Sequence, residues 1–108
     1  DLRQFLSEHG YRIIREALVR DRGILYPCIE VTAGQEALSL GQLYGGARLL
    51  KDPLGEQYII GKIIRLQSAV AGLNRAGGPE NQEKADALRE VLTALLSMRE
   101  EWRHANCP

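Results

Sequence analysis

A chain of 108 residues, 44% apolar and 26% charged, suits one small core. It is too short for a large cofactor-binding sheet plus an accessory domain, because such a sheet alone takes about 150 residues. Fourteen Lys/Arg balance fourteen Asp/Glu, which argues against a uniformly basic, nonspecific polyanion binder.

The balance is uneven along the chain. Residues 1–46 carry five basic and six acidic side chains, residues 47–78 five and two, and residues 79–108 four and six, so only the middle segment is basic. No stretch approaches the roughly 18 uninterrupted apolar residues of a membrane span, and no signal peptide opens the chain, which implies a cytoplasmic setting. The sole methionine is Met98 and the first residue is Asp1, which reads as a segment of a longer gene product.

Leu2, Phe5 and Leu6 recur at helical spacing, and His9-Gly10 supplies a stop, predicting a short helix. Residues 11–20 and 24–33 are rich in β-branched and aromatic side chains. Asp21-Arg22-Gly23 between them puts Gly where a tight loop needs positive φ, so the pair reads as a β-hairpin. Pro27 removes a donor from the second strand, which suits an edge or a bulge better than a central ladder. Residues 34–51 hold Gly34, Gly41, Gly45 and Gly46 and read as a connector with a short strand or turn.

Asp52-Pro53 has the chemistry of a helix start. Ile59, Ile63, Leu66, Val70 and Leu73, spaced 4, 3, 4 and 3, then form one apolar seam. Gly77-Gly78-Pro79 stops that helix and opens another, which runs to about Arg103 with a second seam of Leu88, Val91, Leu95, Met98 and Trp102. So short a connection forces the helices antiparallel. Each arm, at about 22 to 25 residues, spans roughly 33 to 37 Å and should project beyond the β portion. The expected class is α+β in two parts, 1–51 (helix, hairpin, connector) and 52–108 (helical-hairpin arm). Ile60, Ile64, Leu92 and Leu96 lie off the seams, and burying each is worth about 1.5 to 3 kcal/mol, so they call for the β portion or a second chain.

Cys28 and Cys107 are far apart and read as free thiols. His9, Cys28, His104 and Cys107 match no metal-ligand spacing, so no metal site is expected. His9 and His104 fall at helix ends, where exposed carbonyls favour a cationic ring. No pair of carboxylates is placed for acid–base work, and Glu100-Glu101 reads as surface charge.

The run Leu2-Arg3-Gln4-Phe5-Leu6-Ser7-Glu8-His9-Gly10-Tyr11-Arg12-Ile13-Ile14, followed by Glu16-Ala17-Leu18-Val19 and Gly23-Ile24-Leu25-Tyr26, resembles the C-terminal region of bacterial tRNA adenine-N1 methyltransferases. Residues 43–59, from Leu43-Tyr44-Gly45-Gly46 through Leu49-Leu50-Lys51-Asp52-Pro53 to Ile59, resemble the segment that follows in that family. Gly46 departs from the family's Pro, Pro27 from an acidic residue and Gly55 from an aromatic.

The resemblance implies the last helix and final two strands of a Rossmann-type methyltransferase sheet, then a long antiparallel coiled-coil arm. It also implies a parent enzyme that uses S-adenosylmethionine to methylate N1 of an adenine in the D-arm of tRNA. The chain has no G-x-G-x-x-G turn, so this segment is expected neither to bind the cofactor nor to act catalytically. No catalytic, cofactor-binding or metal residue is assigned. Arg48, Lys51, Lys62 and Arg65 are the candidate tRNA contacts on the arm, the plainer reading of each being a solvated charge opposite an apolar seam. Tyr58 and Trp102, on helix faces, read as core rather than as base-stacking platforms. Apart from the family, the same elements suit a small dimerisation or adaptor protein, and the sheet edge left open predicts self-association.

Overall fold

The computed structural model describes residues 2–106. Helix α1 (Leu2–Glu8) leads into strands β1 (Tyr11–Asp21) and β2 (Ile24–Ala33), followed by helices α2 (Leu40–Gly45), α3 (Gly55–Ala76) and α4 (Pro79–Asn106). The α+β order of short helix, antiparallel hairpin and long helical pair is the one the sequence predicts.

The hairpin closes through Arg22 (φ 53°) and Gly23 (φ 80°), two successive left-handed residues whose twist matches that of the flanking strands. Its register runs from Asp21 opposite Ile24 to Tyr11 opposite Ala33, broken once where Ile14 is inserted between the Ile13–Val31 and Arg15–Glu30 pairs. A single extra residue shifts the side-chain alternation by one. Ile13 is buried before the bulge, and Glu16 and Leu18 share its face after it. Pro27 lies opposite Leu18. The Leu18 amide donates not across the ladder but to Asp52 Oδ2, at 3.0 Å. This is therefore a position where both backbones point outward, and the donor that Pro27 lacks would have faced the open edge of β2.

The connector is more ordered than expected. Ser39 caps α2 reciprocally with Gln42: its Oγ accepts from the Gln42 amide at 3.2 Å, and Gln42 Oε1 accepts from the Ser39 amide at 2.9 Å. Gly41 and Gly45 let α2 lie against α4, since a Cβ on Gly45 would stand 2.5 Å from Met98 Sδ and 2.9 Å from Leu95 Cδ2.

Helix α3 starts at Gly55 rather than at Asp52-Pro53. Asp52 is used otherwise: one carboxylate oxygen takes the Leu18 amide and the other the Leu54 amide, pinning the turn before α3 to β1. Gly77 (φ 72°) ends α3, its amide returning to Leu73 O. Helix α4 continues to Asn106, a turn beyond the expected end at Arg103. Glu56 meets Arg103 at one end of the pair and Asn74 meets Arg89 at the other, so α3 and α4 are antiparallel.

Two clusters divide the core. Ile59 and Ile63 pack on Val91 and Leu95 between the long helices, with Met98 and Trp102 at the margin. Tyr58, one position along α3, packs instead with Leu18 and Leu49 beneath the hairpin. Helix α3 is thus the middle layer, with α4 on one side and the β-hairpin on the other. Of the four apolar residues off the seams, Ile60 and Leu92 are half-buried, whereas Ile64 and Leu96 remain 59% and 46% exposed. No helix among the described residues is long and apolar enough to cross a membrane. Cys28 is free and exposed; Cys107 lies outside the described residues.

Candidate nucleic-acid interface

The junction of hairpin and α3 is organised by a buried ion pair that the sequence reading did not find. Arg3 and Glu16 are only 3% and 7% exposed. Arg3 donates to Glu16 Oε2 through Nε (3.1 Å) and NH2 (2.9 Å), and through NH1 to the Tyr58 hydroxyl (3.2 Å). Burial works against the Arg3 charge, but Tyr58 and Glu16 more than offset it and hold its pKa above the ordinary value. The other Glu16 oxygen accepts the amides of Ala47 (2.6 Å) and Arg48 (2.9 Å). One carboxylate therefore ties α1, β1 and the α2–α3 connector together, and Arg3 extends the tie to α3.

Beside this pair the inner face of the hairpin and α3 enclose a groove of about 560 Å³. Arg3, Arg20, Lys62 and Arg65 line it, and among the described residues none that lines it is acidic. Arg20 hydrogen-bonds Gln57 Oε1, a neutral partner. Lys62 Nζ stands 5.2 Å from the Tyr58 ring centroid, within cation–π range. Among the described residues, Arg20, Lys62 and Arg65 have no carboxylate within ion-pair distance. A concave wall carrying one sign of charge concentrates positive potential and attracts polyanions.

Of the four candidate tRNA contacts, the structure brings two together and sets two apart. Lys62 and Arg65 share the groove, one turn apart on α3. Arg48 instead pairs with Glu36 and donates to Ala47 O, and Lys51 donates to Ala105 O at the root of the arm. Arg20 was missed because its facing depends on the Ile14 bulge: opposite Leu25, it falls on the inner face only after the phase shift. Tyr58 is buried, and Trp102 Nε1 donates to Asp52 O at 3.1 Å; both serve the core.

A second groove, of about 590 Å³, runs between α2 and α4. Among the described residues its only charged lining residue is Glu101, and its walls include Leu40, Leu50, Met98 and Trp102, so it is a poor seat for phosphate. Among the described residues no three His, Cys, Asp or Glu side chains converge as metal ligands.

The glycines of residues 41–46 form no cofactor cradle either. Gly41 and Gly45 are spent on contact with α4, where a Cβ on Gly41 would stand 3.2 Å from Met98 Cε.

No curated protein matches the chain. Among solved structures, a Streptococcus pneumoniae protein assigned as a tRNA (m1A22) methyltransferase superposes with a TM-score of 0.68 at 27% identity, over 92% of this chain and 44% of that one. The structure of the same protein in complex with S-adenosyl-L-methionine gives a TM-score of 0.58 at 27% identity, over 92% and 42%. A Streptococcus agalactiae protein of the NADB-Rossmann superfamily gives 0.68 at 17% identity, over 91% and 42%, and shares the fold. The chain therefore spans less than half the length of the solved structures it matches. A family model for tRNA (adenine(22)-N(1))-methyltransferase matches residues 1–97, nearly the whole chain, and the chain belongs to that family.

Proposed function

We propose that this chain is the C-terminal part of an S-adenosylmethionine-dependent enzyme that methylates N1 of an adenine in tRNA. On this reading it completes the enzyme's fold and helps position the tRNA, while residues outside it hold the methyl donor and the reacting base. The observation that carries the reading is the family match over residues 1–97, joined to a coverage of 44% of a solved methyltransferase relative.

A division of labour is consistent with the chemistry present. S-adenosylmethionine, when bound by the complete protein, supplies the methyl group. The residues described here offer cations, an ion-paired hub and a long two-helix arm, which can orient a polyanion without reacting with it. The setting is cytoplasmic, where the tRNA substrate is available.

Titration calorimetry and a methyl-transfer assay test the reading together. The 108-residue chain should give no heat with S-adenosylmethionine at micromolar concentrations. The complete protein should bind it and transfer a labelled methyl group to adenine 22 of an unmodified tRNA transcript. Micromolar binding by the short chain, or a complete protein that leaves tRNA unmodified, would sink the proposal.

A further inference from the structure

We propose that the groove between the β-hairpin and α3 seats an RNA sugar–phosphate strand, with Arg20, Lys62 and Arg65 on its phosphates and Gly61 leaving room for the strand to approach. RNA as the polyanion rests on the function proposed above; the seat itself rests on the groove.

Among the described residues, its three cations lack carboxylate partners and no acidic side chain lines the walls. Gly61 is the second sign. It stands inside α3, where glycine is unfavourable relative to alanine, and a Cβ there would meet nothing within 4 Å. Internal packing therefore does not require glycine at 61, unlike Gly45 and Gly55, whose missing side chains are occupied by neighbours. Position 61 lines the groove beside Lys62, so what its bareness preserves is depth in the groove itself.

Recognition here is chiefly of the backbone. Tyr58 on the α3 wall is buried and flanked by two cations, with Arg3 Cζ 5.6 Å and Lys62 Nζ 5.2 Å from its centroid, so it offers no face to a base. Tyr26, 48% exposed at the hairpin rim of the groove, is open to stacking, a contact that tolerates any base. The site positions RNA and does not read its sequence.

The test is fluorescence anisotropy of a labelled tRNA transcript titrated with the 108-residue chain between about 50 and 200 mM salt. Arg20→Glu/Lys62→Glu/Arg65→Glu should weaken binding at least tenfold at low salt and flatten the slope of log affinity against log salt by about 2 to 3. Gly61→Leu, which changes no charge, should weaken binding severalfold. The control Arg12→Glu/Arg75→Glu/Lys84→Glu changes net charge equally at sites outside the groove and should lose far less. Circular dichroism confirms that each variant is folded. A groove triple that binds no worse than the control triple, or a Gly61→Leu variant that binds as wild type, would overturn the proposal. Methyl transfer by the complete protein separates the two readings: its absence with groove-dependent binding intact removes the enzymatic reading alone, and its persistence with wild-type RNA affinity in the groove triple removes the groove alone.

Discussion

Gly55, the first residue of α3, lies against the indole of Trp102 near the end of α4: a Cβ on Gly55 would stand 2.6 Å from Trp102 Nε1 and 2.8 Å from Leu49 O. Trp102 fills the space beside Gly55 from the opposite helix. Gly55→Ala forces the indole and the Leu49 carbonyl apart, an overpacking that should cost about 1 to 3 kcal/mol. Trp102→Ala removes the ring and its hydrogen bond to Asp52 O and should cost about 3 to 5 kcal/mol. Urea unfolding of both variants checks the order, and a Gly55→Ala protein as stable as wild type would contradict the close packing.

The Arg3–Glu16 pair should behave as a structural hinge pin. Glu16→Ala removes the buried carboxylate to which Arg3 donates and strips the Ala47 and Arg48 amides of their acceptor. Removing one partner of a buried pair costs about 3 to 5 kcal/mol. The double variant Arg3→Met/Glu16→Met removes both charges and should recover a large part of that loss in denaturant titrations. A double variant less stable than Glu16→Ala would show that the pair's attraction outweighs its desolvation.

Much of the molecule was legible in the sequence, because periodicity reports which face of an element is buried. Ile59 and Ile63 with Val91 and Leu95 pack as the two seams predict, and Gly77-Gly78 turns the chain between them. What was not legible depends on single residues that no pattern marks. The Ile14 bulge reverses the facing of everything after it, which is why Glu16 and Arg20 went unnoticed. The Ser39-to-Gln42 capping box was present in the sequence, but four nearby glycines obscured it until packing on Met98 explained two of them. Asp52 has the chemistry of a helix cap, yet its acceptors are claimed by Leu18 and Leu54, a tertiary contact that overrides the local preference.

The root of the arm should weaken in acid. Glu56 accepts a hydrogen bond from Arg103 Nε at 2.6 Å and has Arg99 Nε at 3.6 Å. The Arg103 hydrogen bond leads in holding its pKa below the ordinary 4.5, with desolvation opposing and the charges of Arg103 and Arg99 adding to the depression. A depressed carboxylate contributes stability above its unfolded-state pKa and loses it as pH falls through the folded value. Wild type should therefore melt above Glu56→Gln at neutral pH, and the gap should close below the 4.5 reference. A gap that is constant from neutral pH to pH 3 would exclude the ionised Glu56 as its source.

The outer face of the hairpin predicts self-association of the chain. Val19 and Tyr26 are directly paired across the strands yet 49% and 48% exposed, and Ile24 beside them is 50% exposed. A contiguous apolar row on a two-stranded sheet favours burial against another surface. Pro27 deprives the β2 edge of one donor, so side-chain contact on this face should contribute more than added strand pairing. Sedimentation equilibrium should show concentration-dependent mass that Val19→Lys/Tyr26→Lys abolishes. A wild-type chain that stays monomeric at high concentration would count against it.

Gly61 sets stability against binding in one residue. Its absent Cβ would meet no atom within 4 Å, so Gly61→Ala introduces no clash. It reduces the freedom of the unfolded chain and improves helix propensity, together worth about 0.5 to 1 kcal/mol. Thermal melts should therefore place Gly61→Ala above wild type, while the larger Gly61→Leu side chain obstructs the groove without unfolding α3. A drop in melting temperature for Gly61→Ala would mean that the groove floor is more tightly packed than its geometry shows, and would remove the reason for regarding this glycine as space kept for a ligand.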